Sequence, residues 1–194
     1  HGLNWQFAPH SLVGVGTTES ELVELQHSTG TLMFNHRSLN VCPAYPENRT
    51  KGPPYHICRW ASYSSDMGLT WHGFEPLPQL PDPGCKGGTC AWPRQKALLF
   101  TNNAESIVGA RVNITLRASF DDGRTWPTHI PIGPRLAAVP NATNGLKGPG
   151  GYSDVVMHEY EGKEWAAVVY EFSDPFGCSI KLAVADPDLL LPRD

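Results

Sequence analysis

The sequence predicts an all-β protein built from repeats of one small sheet, and three observations predict it. First, Ser64-Ser65-Asp66-Met67-Gly68-Leu69-Thr70-Trp71 recurs as Ser119-Phe120-Asp121-Asp122-Gly123-Arg124-Thr125-Trp126, with five identities at fixed offsets. His1-Gly2-Leu3-Asn4-Trp5 fits the last five places of the same octet with Asn for Thr, so the chain is expected to begin inside a repeat. Second, Gly2 to Gly68 is 66 residues and Gly68 to Gly123 is 55, the period of units made of several strands. Third, 19 Gly, 18 Pro and 40% hydrophobic residues among 194 suit short strands joined by many turns, and no long helical pattern interrupts them.

Each octet reads as a turn. Ser and Asp oxygens accept backbone N–H groups, Gly supplies positive φ, and Trp packs back on the sheet. That structural role suffices for Asp66 and Asp121. Strands are expected near Ser20–Leu25, Thr31–Arg37, Cys58–Ser64 and Trp71–Glu75 in a first unit (18–76), with a long loop over Ser38–Ile57. A second unit (88–132) places them near Thr89–Trp92, Lys96–Thr101, Val112–Ser119 and Thr128–Ile132; here Thr115, Arg117 and Ser119 alternate with Ile114, Leu116 and Ala118. A Gly/Pro/Asn-rich linker, Gly133–Gly151, leads to a third unit (150–194) with strands near Tyr152–His158, Lys163–Phe172 and Ser179–Ala185. Residues 1–17 would end a preceding unit.

Four-stranded units arranged radially make a β-propeller, which closes with roughly 4–8 blades. About three are expected here, so a half ring would expose blade faces and edges, and further blades are expected outside this sequence.

A formal net charge of −4 and the lack of any Lys/Arg run argue against nucleic acid or an anionic membrane as partner. No stretch approaches the roughly 20 apolar residues of a membrane helix. Cys42 and Cys58 flank the Pro-rich loop, Cys85 and Cys90 lie five apart, and Cys178 is left over, so two local disulfides are candidates. The sequons at Asn48, Asn113 and Asn141 are candidate glycosylation sites. Together these favour the secretory pathway or lysosome over cytosol. The eight His are scattered, with no metal-ligand spacing, no phosphate-cradling loop and no nucleophile elbow; neither metal nor cofactor is expected.

Propellers bind ligands where inner strands converge, and the polar residues near inner strand ends are Glu19, Arg37, Arg111, Tyr152 and Glu171. Each also has a bland reading as a solvated Arg, a turn Tyr or a surface Glu.

The surrounding words decide between these. The octets match the Asp boxes of sialidases. Glu19-Ser20-Glu21-Leu22-Val23-Glu24-Leu25 followed by Asn35-His36-Arg37 resembles the family strand leading to its Asn-x-Arg. Arg111-Val112-Asn113-Ile114-Thr115-Leu116-Arg117 resembles the segment with the last clamp arginine, and Gly150-Gly151-Tyr152-Ser153-Asp154 with Val169-Tyr170-Glu171 is similar to the nucleophile segment and the strand after it. The wording around Arg111 and the Cys-bearing loop look most like the lysosomal branch of animal sialidases.

The resemblance implies a six-bladed propeller, terminal sialic acids as substrate, and a retaining exo-sialidase. Tyr152 would be nucleophile and Glu19 its base, with Glu24 as runner-up. Arg37 and Arg111 would be two of three clamp arginines, and Glu171 would orient the first. The chemistry is coherent. The reacting carbon bears a carboxylate, which guanidinium groups grip bidentately. A carboxylate nucleophile would meet that like charge at about 4 Å, costing roughly 4 kcal/mol at an effective dielectric near 20. A neutral phenol avoids this, provided a base takes its proton.

The first clamp arginine and the Asp general acid have no counterpart in the sequence, since neither Asp154, on the strand of Tyr152, nor Asp82 suits the role. The chain alone is therefore expected to be inactive. The rival reading is a non-catalytic sialoglycan-binding or interaction propeller. As partners the resemblance implies sialylated glycans, the missing N-terminal blades, and a protective carboxypeptidase or a homo-oligomer.

Overall fold

A computed structural model describes residues 14–45, 55–133, 139–141, 145–174 and 177–192, with residues 139–141, 145–147 and 174 described by backbone alone. Strands β1 (Thr17–Glu24), β2 (Leu32–Ser38), β3 (Cys58–Ser64) and β4 (His72–Pro81) form one antiparallel sheet in sequence order. Strands β5 (Gly88–Trp92), β6 (Ala97–Asn103), β7 (Ile114–Ser119) and β8 (Thr128–Pro131) form a second. The segment expected as a plain linker holds a short hairpin, β9 (Val139–Asn141) with β10 (Gly145–Lys147). A third sheet follows: β11 (Gly150–Tyr160), β12 (Lys163–Asp174) and β13 (Gly177–Ala185). The partial octet at His1–Trp5 lies outside the described residues.

The first strands of the sheets meet. β1 packs on β5, and β11 packs on β5 and β6, so the sheets radiate from one line as propeller blades do. The middle sheet is covered on both faces because β6 alternates its partners. Leu98 and Phe100 join Val23, Met33, Ala61 and Trp126 toward the first sheet, while Ala97 and Leu99 join Leu116, Val155, Ala166 and Val168 toward the third.

The octets form identical turns at the β3–β4 and β7–β8 ends. Asp66 accepts from the backbone N–H of Thr70 (2.8 Å) and from its hydroxyl (2.6 Å), and Trp71 Nε1 donates to Gly68 O at 3.0 Å. Asp121, Thr125, Trp126 and Gly123 repeat these bonds at the same distances. Gly68 and Gly123 have φ of 88° and 84°, which only Gly adopts without strain. Asp122 also reaches across to the first sheet, accepting from the backbone N–H of Gln26, His27 and Ser28.

Cys42 and Cys58 are joined by a disulfide. The expected pair Cys85–Cys90 is a correction: both thiols are free, as is that of Cys178. Cys85 lies in a turn held by Asp82, which accepts its N–H at 2.9 Å. β5 then runs extended at roughly 3.3 Å per residue and carries Cys90 away toward the third sheet. Among the sequons, Asn48 and the side chain of Asn141 lie outside the described residues. Asn113 Nδ2 donates to Glu105 at 2.9 Å, and the Thr115 hydroxyl donates to Asn113 O at 2.8 Å.

Candidate active site

Antiparallel pairing decides which end of the sheets carries chemistry. The start of β1, the end of β2, the segment before β7, the start of β11 and the end of β12 share one end, opposite the octets. Glu19, Arg37, Arg111, Tyr152 and Glu171 all stand there.

Two β-bulges aim the central pair. On β1, Thr18 pairs with Arg37 and Glu21 with Asn35, so Glu19 and Ser20 together oppose His36. Glu19 takes φ of 20°, a conformation side-chain-bearing residues avoid. On β11, Gly150 pairs with Phe172 and Ser153 with Tyr170, so Gly151 and Tyr152 together oppose Glu171. Bulges re-aim side chains beside functional sites. A Cβ at Gly151 would overlap the Glu171 carboxylate, which instead accepts the Tyr152 N–H at 2.9 Å.

The Tyr152 hydroxyl donates to Glu19 Oε1, and Arg37 Nη1 donates to Glu19 Oε2 and lies 3.4 Å from the Tyr152 hydroxyl. The Arg111 guanidinium sits 5.7 Å from the Tyr152 ring centre and donates to Gly84 O at 3.2 Å. Glu24 is elsewhere, accepting the Gly30 N–H in the β1–β2 turn at 2.8 Å. Burial pushes the Glu19 carboxyl up, but hydrogen bonds from Tyr152 and Arg37 outweigh it and hold it below the usual range. The hydrogen bond to Glu19, with burial, raises the Tyr152 phenol. The pair therefore rests as carboxylate and neutral phenol.

Sequence reasoning missed the support behind these groups. Arg59 is fully buried and donates to Asn35 Oδ1 (2.7 Å), Asn35 O (2.9 Å), Asp82 (3.0 Å) and Cys85 O (3.2 Å). It thus ties the strand of Arg37 to the turn whose Gly84 carbonyl receives Arg111. Asp82 is committed to this pair and does not face the site as an acid. Lys86 bridges Glu21 on β1 (2.6 Å) and Asp154 on β11 (3.3 Å), so Asp154 too is engaged. A lone Arg between Cys58 and Trp60 in a strand was the one sequence signal available. Burial raises the Cys85 thiol to about 11, keeping it unreactive. A cavity of about 170 Å³ is lined by Lys86, Tyr152, Ser153, Asp154 and Glu171 among others; Glu19, Arg37 and Arg111 do not line it. Among the described residues no group of three or more His, Cys, Asp or Glu could hold a metal ion.

The fold is thus part of a β-propeller of the sialidase kind, and sialidases are among the proteins similar to the chain. It is 32% identical over 163 residues to a sialidase of Micromonospora viridifaciens, the match covering 75% of this chain and 22% of that protein. It superposes on a Hadza microbial sialidase with TM-score 0.64 and 22% identity, covering 94% of this chain and 30% of the other. It also superposes on an intramolecular trans-sialidase from Ruminococcus gnavus, in complex with oseltamivir carboxylate, with TM-score 0.65 and 16% identity, covering 100% and 38%. The chain spans about a fifth of the length of the curated relative. No protein-family model matches it.

Proposed function

We propose that this chain is the part of a retaining exo-α-sialidase that supplies its nucleophile, that nucleophile's base and two arginines of its carboxylate clamp. The observation that carries the reading is the Tyr152 hydroxyl hydrogen-bonded to Glu19 beside Arg37. Arg37 and Arg111 hold the sialic acid carboxylate. As the phenol oxygen bonds to the anomeric carbon, the glycosidic C–O bond breaks and the phenol proton passes to Glu19. The departing oxygen takes a proton from an acid outside this chain. Water then attacks the same carbon and gives a proton to the conjugate base of that outside acid, the bond to Tyr152 breaks, and Glu19 returns the proton to the phenol. Two inversions give retention. Glu171 fixes the nucleophile's backbone.

The reading has the chain inactive by itself. Supporting this, Val156, Val169, Ile180, Leu182 and Val184 are exposed on one face of the third sheet, the face a further blade would cover. A lysosomal or secretory location is part of the same proposal and draws on the Cys42–Cys58 disulfide.

The test is hydrolysis of a fluorogenic sialoside by the whole protein. Tyr152→Phe and Glu19→Gln are each expected to lower kcat at least about a hundredfold. Sialic acid binding without turnover, and with Tyr152→Phe affinity unchanged, would instead establish the binding propeller.

A further inference from the structure

The bulge that aims Glu19 is closed by a side chain that no catalytic role uses. His36 lies opposite Glu19 and Ser20 in the β1–β2 register and is 1% exposed. Its ring lies 5.5 Å from that of Phe34 and 5.8 Å from that of Phe74. Its Nδ1 lies 2.7 Å from Ser20 Oγ and its Nε2 lies 3.0 Å from Ser62 Oγ.

A single tautomer of His36 makes all three bonds at once. Ser20 has one hydroxyl hydrogen and donates it to Thr18 O at 2.9 Å, so it accepts from His36 Nδ1–H. Nε2 of the neutral ring is then an acceptor for the Ser62 hydroxyl. Burial, aided by Arg59, holds this imidazole down at about 4, in keeping with one ring hydrogen. The chain Ser62 to His36 to Ser20 to Thr18 O spans the backbone on either side of Glu19. Thr18 and Ser20 are thereby pinned while the residue between them keeps its positive φ.

We propose that His36 is a positioning residue that, through Ser20, clasps the β1 bulge and so aims the Glu19 carboxylate at the Tyr152 hydroxyl. The kinetic consequence rests on the sialidase reading; the geometric one does not. His36→Leu removes the donor, Ser20→Ala removes the relay, and His36→Asn keeps an N–H near the Nδ1 position.

The experiment has two arms, run on the whole protein. In the first, His36→Leu and Ser20→Ala lower kcat on a fluorogenic sialoside about 10- to 100-fold with KM within about twofold, the cost of a misplaced group, while His36→Asn retains most of the rate. In the second, NMR of ring-labelled tyrosine, assigned with Tyr152→Phe, follows the phenol as pH rises. Tyr152 titrates lower in His36→Leu and Ser20→Ala than in the parent, because Glu19 no longer accepts its hydrogen bond. Lack of turnover by the parent would defeat the sialidase reading and leave the second arm to decide this one. A Tyr152 titration unchanged in a folded Ser20→Ala variant overturns the proposal, even if His36→Leu does not fold.

Discussion

The Glu19 carboxylate on β1 accepts the hydroxyl hydrogen of Tyr152 on β11, 133 residues further along the chain and in a different sheet. Each partner sits on a β-bulge, where one extra residue turns its side chain. The contact needs two local irregularities and the packing of β1 and β11 on the middle sheet between them. Changes that touch any of these should be felt at the pair.

Gly151→Ala should act through the second bulge. Its Cβ would meet the Glu171 carboxylate, forcing that side chain or the Tyr152 backbone to move. We expect loss of sialoside turnover by about a hundredfold in the whole protein, with the fold retained by circular dichroism.

Arg37→Lys and Arg111→Lys keep the charge but lose the planar fork. A hydrogen bond to a charged group contributes about 1.5–3 kcal/mol. Calorimetric titration with a sialic acid analogue should show affinity falling roughly tenfold to a hundredfold for each.

Asp82→Asn leaves the fully buried Arg59 without its counter-charge. Breaking such a pair costs about 3–5 kcal/mol, read as a lower urea midpoint. The turn carrying Gly84 and Cys85 also loses strength in its anchor, so Arg111 should lose affinity for carboxylate along with the stability.

Stability should fall on mild acidification. His36 has a folded-state value of about 4 against an ordinary 6.5, so between these the unfolded chain binds the extra proton. Its contribution is complete above pH 6.5 and is lost as pH falls toward 4, the loss reaching about 2–3 kcal/mol at pH 4.5. Asp121 and Asp122 are held below the usual carboxylate range, where burial works to raise them but hydrogen bonds from Thr125 and from the 26–28 turn prevail. Their contribution is lost at still lower pH. Melting temperatures across pH 4–7 should slope less steeply in His36→Asn than in the parent.

Much of the fold is legible in the chain because its signals are local. The octets fix the β3–β4 and β7–β8 turns through bonds within eight residues, and period-two alternation marks β7, whose Ile114, Leu116 and Ala118 face the core. The candidate site residues are legible only through their family wording, since nothing in the spacing of Glu19 and Tyr152 says that they meet. The bulges are invisible to alternation because each depends on a partner strand. Arg59 looks like an ordinary strand residue until Asp82 and Asn35 are brought around it. The Cys85–Cys90 expectation fails for a related reason: sequence proximity does not include the extension of β5.

The most direct measurement is mass spectrometry of the whole protein after brief reaction with a fluorinated sialosyl donor that slows breakdown of the glycosyl-enzyme. One added sugar is expected on the peptide containing Tyr152, absent in Tyr152→Phe. Turnover accompanied by an adduct on another residue would contradict the nucleophilic role of Tyr152.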